Sequence, residues 1–311
     1  MSRDAFSFDP QDTRDESPRR AGRQHRSAPP DTRDSRASAP DTPERSENSK
    51  VREQHSTRDE RSESPRAYYF RDRAYLLRDS EVRSLAEVGK FRVIAATDLA
   101  NYGYGGDREP METDIRHLGR QGLLTDKTIE VPQKKTLRIL TLTKTGHRLL
   151  KSANRLPDDQ AIYHGLLKPR EAKHDADLYR LYQKEVARIE RAGGKPLRVI
   201  LDYELKKNLN RDLALLGPEK DNPERKNEIA EKHGLQVVND KIPLPDLRVE
   251  YETAEMEVRH VDLELATRDY RPRGLAQKAK AGFSLYSRPE DASRLRRVLD
   301  EREITAGILS L

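Results

Sequence analysis

The sequence predicts a mixed α/β (α+β) chain in three parts: a charged tail over residues 1–66, a small helix-rich unit over 67–155, and a larger unit over 156–311 whose core elements run α-β-β-β-α-β. Three observations lead there. Residues 1–66 hold nine apolar side chains against seven of the 18 prolines, while the rest of the chain carries about 40% apolar residues, near the ordinary value for a folded domain. Beyond residue 79 the apolar spacing switches between the three-to-four interval of helices and the alternation of strands. The net charge of +6 sits wholly in the middle part: residues 67–155 carry 17 basic and 11 acidic side chains, whereas the tail carries 14 of each and residues 156–311 carry 29 of each.

These numbers exclude several classes. With no cysteine, disulfide scaffolds and thiolate zinc sites are ruled out. No run of 18 apolar residues exists, and the first twenty residues lack a signal-peptide core, so the expectation is a cytoplasmic protein with no membrane partner. In the tail, clusters such as "DTRDESPRR" and "APDTPERSE" mix charge signs closely and offer almost nothing to bury. Such a segment cannot offset an ordering entropy of roughly 1–2 kcal/mol per residue, and it reads as disordered.

In the middle part, Asp79 or Ser80 can cap a helix through Val82, Leu85, Ala86 and Val88 that stops at Gly89. Thr97 caps a short helix "DLANYGY", and "YGGD" turns the chain. Pro110 opens a third helix, in which Met111, Ile115 and Leu118 recur at i, i+4 and i+7. "GLLTDKTIEV" and "TLRILTLT" read as strands around a "PQKK" turn, and "KTGHRLLKSA" as a closing helix. This is the order of a winged helix-turn-helix, and "LGRQGLLTD" with "LRILTLTKTGHRLL" looks like that family's recognition-helix end, wing and following helix. In such a module the third helix enters the major groove, where arginine can hold guanine bidentately, and a basic hairpin tip touches phosphates. Arg116 and Arg120 are the groove candidates, with Thr113 and His117 on the same helix; Lys134, Lys135 and Arg138 are the wing candidates. The expected partner is DNA, double-stranded in this reading, with the strand preference left open by the sequence. The alternative use of the same module is protein contact.

From Pro169 a long amphipathic helix places Leu178, Leu181, Tyr182, Val186 and Ile189 on one face and ends at Gly193 and Gly194. The strand "LRVILDYE" follows, then a helical insertion over 205–234. Next come strands in "LPDLRVEYE" and "EVRHVDLELAT", a helix near "RGLAQKAKAG", the strand "FSLYS", and a terminal helix over Arg294–Glu303. Without the insertion, this is the core order of the PD-(D/E)XK nuclease superfamily, which has a restriction-endonuclease-like fold. Pro245 and Asp246 open the second core strand, and Asp262 and Glu264 lie on the third. Residues two apart share a strand face, so Asp262 and Glu264 point one way and Leu263 and Leu265 the other. Carboxylates gathered in this way hold Mg2+ through hard oxygen donors, while a lysine positions the attacking water. Glu204, read at the end of the first strand, adds a further candidate ligand. If Asp262 is the acid, Glu264 stands where the companion lysine is usual, and Lys278 or Lys280 on the next helix can substitute. His174, His233 and His260 are not spaced like a preformed zinc site and read as surface or packing residues.

Taken together, "LAEVGKFRV", "LGRQGLL", "LTLTKTGHRLL", "LPDLRVEYE" and "VDLELATRDYRPRGLAQKAKAGFSLY" resemble the bacterial plasmid replication-relaxation protein family over roughly residues 75–290. In that family the third strand typically shows an acid, a second acid two residues later and a following threonine, which fall here on Asp262, Glu264 and Thr267. The chain departs from it by Ala266 where glycine is usual and by an exchanged order of Asp and Glu. The resemblance implies a DNA-binding protein of a plasmid or mobile element that acts in replication, relaxation or transfer and nicks DNA with Mg2+, or only holds it. The alternative is a transcription regulator or adaptor whose second unit serves dimerisation.

Overall fold

The computed structural model describes residues 64–131, 135–165, 171–267, 270–301 and 307–311, which build a mixed α/β architecture. All but the last three residues of the tail lie outside the described residues.

The ordered chain begins with a hairpin that the sequence reading did not anticipate. Strands β1 (Arg66–Phe70) and β2 (Arg73–Leu77) pair antiparallel, with Arg71 at φ 53° in the turn. Tyr75 and Leu77 are buried, whereas Tyr69 and Leu76 face outward. Helix α1 (Asp79–Lys90) is capped one residue earlier than expected. Arg78 is the N-cap, and the Glu81 carboxylate accepts its N–H at 2.8 Å, satisfying the first turn in place of Asp79 or Ser80. Strand β3 (Ile94–Ala95) leads into α2 (Ala96–Gly103), so Thr97 lies inside the helix and does not cap it. Asp107 caps α3 (Arg108–Arg120) by accepting from the Glu109 N–H at 3.0 Å, and Pro110 therefore sits within the first turn.

Strands β4 (Leu124–Val131) and β5 (Lys135–Leu142) form a long hairpin, with β3 on the other side of β5. Helix α4 (Lys144–Ser152) follows, capped by Thr143, whose hydroxyl accepts from the Gly146 N–H and donates to the Gly122 carbonyl at 2.7 Å. Gly146 is required by close approach: a β-carbon there would stand 2.1 Å from the Leu123 carbonyl oxygen.

The remaining elements build a five-stranded sheet. Helix α5 (Ala172–Arg191) precedes β6 (Lys195–Leu201), and α6 (Asp202–Leu215), a 3-10 turn over 217–221 and α7 (Pro223–Lys232) form the helical insertion. Then come β7 (Leu247–Glu252), β8 (Val258–Ala266), α8 (Pro272–Lys280), β9 (Ser284–Ser287), α9 (Pro289–Asp300) and β10 (Ile308–Ser310). The order is β10-β9-β8-β7-β6; β6, β7 and β8 run antiparallel, and β8, β9 and β10 run parallel. The terminal helix starts five residues before the expected Arg294, at Pro289, whose fixed φ suits a first helical position.

Alternation along the strands assigns the two sheet faces. Leu247, Val249, Leu263 and Leu265 pack with α5, while Ala266 and Leu285 pack with Leu209, Ala230, Leu275 and Leu295 from the other four helices. The α5 core is continuous with that of the first segment: Leu85, Leu99, Leu118 and Leu140 belong to the same cluster as Tyr179 and Leu263. Phe91 meets Tyr179 edge-on at 5.2 Å, and Arg180 grips Asp98 through both carboxylate oxygens. The segments before and after residue 155 thus share one apolar interior. Among the described residues no helix is long and apolar enough to cross a membrane.

Candidate functional site

The site forms at the end of the sheet where β7 begins and β8 finishes. Antiparallel register sets Leu247 opposite Leu263, so Asp246, one residue before β7, is carried beside Glu264. The Asp246 N–H donates to Glu264 Oε2 at 3.2 Å, and Asp246 Oδ2 accepts from the Leu265 N–H at 2.8 Å. Lys278 reaches in from α8: its ammonium lies 2.9 Å from Glu264 and also donates to the Leu244 carbonyl. The Tyr270 hydroxyl donates to Glu264 Oε1. From α5, His174 Nε2 stands 3.5 Å from Asp246 Oδ1.

Glu264 is fully buried, and burial followed by the neighbouring Asp246 charge pushes its carboxyl up to about 7, against the opposing pull of Lys278 and Tyr270. At His174 burial opposes the charged form, but the hydrogen bond and charge of Asp246 outweigh it, so the imidazole is held above its ordinary value. Asp175, next along α5, is pushed up to about 6 by burial, with His174 and Arg92 pulling it back. It shares a small recess with Phe91, Arg92 and Asp202, and the Asp202 N–H donates to the Asp246 carbonyl at 3.0 Å. A buried acid near neutrality beside a lysine and a second carboxylate is an arrangement able to accept or hold a proton.

Asp246, Glu264 and Lys278 are therefore brought together, whereas the other sequence-derived candidates go elsewhere. Asp262 shares the face of Glu264, but the register places it opposite Arg248, which takes both its oxygens at 2.6 and 2.8 Å. Arg248 also donates to the carbonyls of His233 and Gly234, fastening the segment after α7 to the sheet. Asp262 is thus half of a buried ion pair. Lys280 is exposed at the end of α8. Glu204 lies in the first turn of α6 and not on a strand, and its partner is Arg198, itself bonded to Asp159. Burial raises the Glu204 carboxyl, with Arg198 opposing.

Among the described residues no group of three or more histidine, aspartate or glutamate side chains is gathered closely enough to hold a metal. Asp246 and Glu264 offer two hard carboxylates, and Asp246 Oδ1 faces His174. That donor set suits Mg2+, which is commonly held by one or two carboxylates and completed by water and phosphate oxygens.

On α3, Thr113, Arg116 and Arg120 share an exposed face; the Thr113 hydroxyl donates to the Glu109 carbonyl at 3.0 Å, and Arg120 Nε approaches the Arg116 carbonyl at 3.4 Å. His117 is tied at 2.5 Å to Glu81, a wholly buried carboxylate held below its ordinary value by Arg78 despite burial. On the hairpin, Lys135 is exposed, and Lys134 lies outside the described residues. Arg138 is committed within the protein: it donates to Glu112 on α3 and to Asp126 on β4, binding the hairpin to the helix.

Reading the sequence missed His174 and Tyr270. From sequence His174 reads as a surface or packing residue, and no spacing rule links the first turn of α5 to a residue 72 positions later. No protein-family model matches the chain, and no curated protein matches it.

Proposed function

We propose that this chain is a DNA-binding protein of a plasmid or mobile element, acting in replication, relaxation or transfer, and that it nicks DNA. The convergence of Asp246, Glu264 and Lys278 from three separate elements at one end of a mixed sheet carries this reading. The element order α1, β3, α2, α3, β4, β5, α4, with β3 beside β5, supports a winged helix with α3 as the groove-reading helix. The order α5, β6, β7, β8, α8, β9 supports a PD-(D/E)XK-like core. In it Glu264 is the acid, Ala266 occupies the usual lysine position, and Lys278 supplies the ammonium from the helix.

Asp246 and Glu264 are the residues that would hold Mg2+, which when bound activates water and neutralises charge on the scissile phosphate. Lys278 is placed to orient the attacking water and to steady Glu264. Tyr270 donates to Glu264 Oε1 and fixes its carboxylate plane.

The test is conversion of supercoiled plasmid DNA to the open circle in Mg2+. Wild type is expected to nick. Glu264→Gln, which weakens the Mg2+ site, and Lys278→Met, which removes the group that orients the water, are each expected to lose about 100-fold or more in rate. Duplex affinity should stay within a few fold. Absence of nicking by wild type removes the enzymatic part. The second reading, a non-cutting regulator, is favoured by one observation: both Glu264 oxygens already accept hydrogen bonds from Lys278, Tyr270 or the Asp246 backbone.

A further inference from the structure

The positive charge that marks residues 67–155 is concentrated in the last part of that segment. From 67 to 130 there are ten basic and eleven acidic side chains; from 131 to 155 there are seven basic and none acidic. Of those seven, Arg138 is neutralised by Glu112 and Asp126. Lys144, Arg148 and Lys151 lie on α4, and Arg155 follows just beyond it.

Lys144, Arg148 and Lys151 recur at i, i+4 and i+7, within about 60° of one another around the helix, and Arg155 lies beyond its end, after Asn154 at φ 48°. All four are exposed, because Gly146, Leu149 and Leu150 turn the opposite face inward. Lys144, Arg148 and Lys151 make no ion pair or hydrogen bond among the described residues, and Arg155 meets only the Tyr68 hydroxyl and ring. Some exposed cations elsewhere are paired, as Arg225 with Glu228 and Arg259 with Glu257. Lys144 also occupies the first position of α4, and no acid lies in that turn. A cation there opposes the helix dipole, so the stripe does not serve the stability of its own helix.

We infer that the outer face of α4 is a second contact surface for double-stranded DNA, distinct from α3 and the β4–β5 hairpin, and that it grips the phosphate backbone without reading sequence. Lys144 to Lys151 span about 10 Å of helix axis, comparable to three successive steps along one DNA strand at a rise of about 3.4 Å per step. The α4 surface rests on the DNA-binding part of the function proposed above, but not on nicking.

The experiment is the salt dependence of duplex binding by the full chain, using fluorescence anisotropy and two unrelated 30-base-pair sequences. The variants are Lys144→Gln/Arg148→Gln/Lys151→Gln, Arg116→Ala/Arg120→Ala, and Arg225→Gln/Arg259→Gln as a control for paired surface cations. The α4 variant is expected to flatten the slope of log K against log salt by about 2 to 3, from about 0.9 per phosphate contact. Its affinity should therefore fall about 40-fold less than that of wild type between 50 and 200 mM salt, equally on both sequences. The control should match wild type. An α4 variant that also matches wild type, while the α3 variant loses affinity, overturns the α4 surface and leaves DNA binding intact. Wild type that binds neither duplex overturns both. Wild type that binds only single strands or RNA overturns the duplex as partner.

Discussion

Replacing Asp262 by alanine separates a chemical from a structural role for this residue. Arg248 and Asp262 are 6% and 9% exposed, joined by two short hydrogen bonds, and Arg248 makes two further bonds to carbonyls. Removing the carboxylate leaves a guanidinium charge in the interior with only those carbonyls to solvate it. Breaking a buried pair from one side costs about 3–5 kcal/mol, and the two remaining acceptors argue for the lower end, about 3 kcal/mol. For a folded unit of this size that corresponds to a fall in Tm of roughly 6–12 °C. Substituting both partners, Arg248→Met with Asp262→Leu, removes the stranded charge and is expected to recover most of the loss. Urea and thermal unfolding of Arg248→Met, Asp262→Leu and the double variant give the coupling energy. An Asp262→Ala protein that unfolds within 0.5 kcal/mol of wild type while losing nicking activity would overturn the structural assignment and return Asp262 to the catalytic group.

Other consequences are equally direct. Gly146→Ala forces a methyl group against the Leu123 carbonyl, and displacing α4 should cost about 1–3 kcal/mol in chemical denaturation, with an unchanged transition showing that α4 is loosely seated. Asp175 binds its proton more tightly when folded, at about 6 against 3.8. Its contribution is therefore lost as pH rises from about 4 through 6, and Asp175→Asn should be more stable than wild type at pH 7 by up to about 3 kcal/mol and equal to it below pH 4. Equal stability at both pH values would contradict that sign. Arg138→Gln should lower stability by about 1 kcal/mol without changing the salt slope of DNA binding; a slope reduced by about 0.9 would make Arg138 a phosphate contact.

Much of the helical layout was legible because it is written locally. The apolar stripe of α5 and the Met111, Ile115 and Leu118 stripe of α3 face the core as their spacing requires. Boundaries were less legible. Caps at Arg78 and Asp107 depend on which backbone N–H groups are left unpaired, and several neighbouring residues can serve them. The β1–β2 hairpin and β10 were missed because they are short and take their stability from what they lie against.

Within the site, the sequence alone determined that Asp262 and Glu264 share a face, that Asp246 stands at the head of a strand, and that a lysine is available on α8. It also determined which stretch carries the excess positive charge. Only the tertiary structure decided that Arg248 claims Asp262, that Lys278 and not Lys280 reaches Glu264, and that His174 and Tyr270 join them. The reason is that side-chain direction follows from the period of a single element, whereas the identity of the group it meets depends on strand register and helix seating, which the whole core sets together.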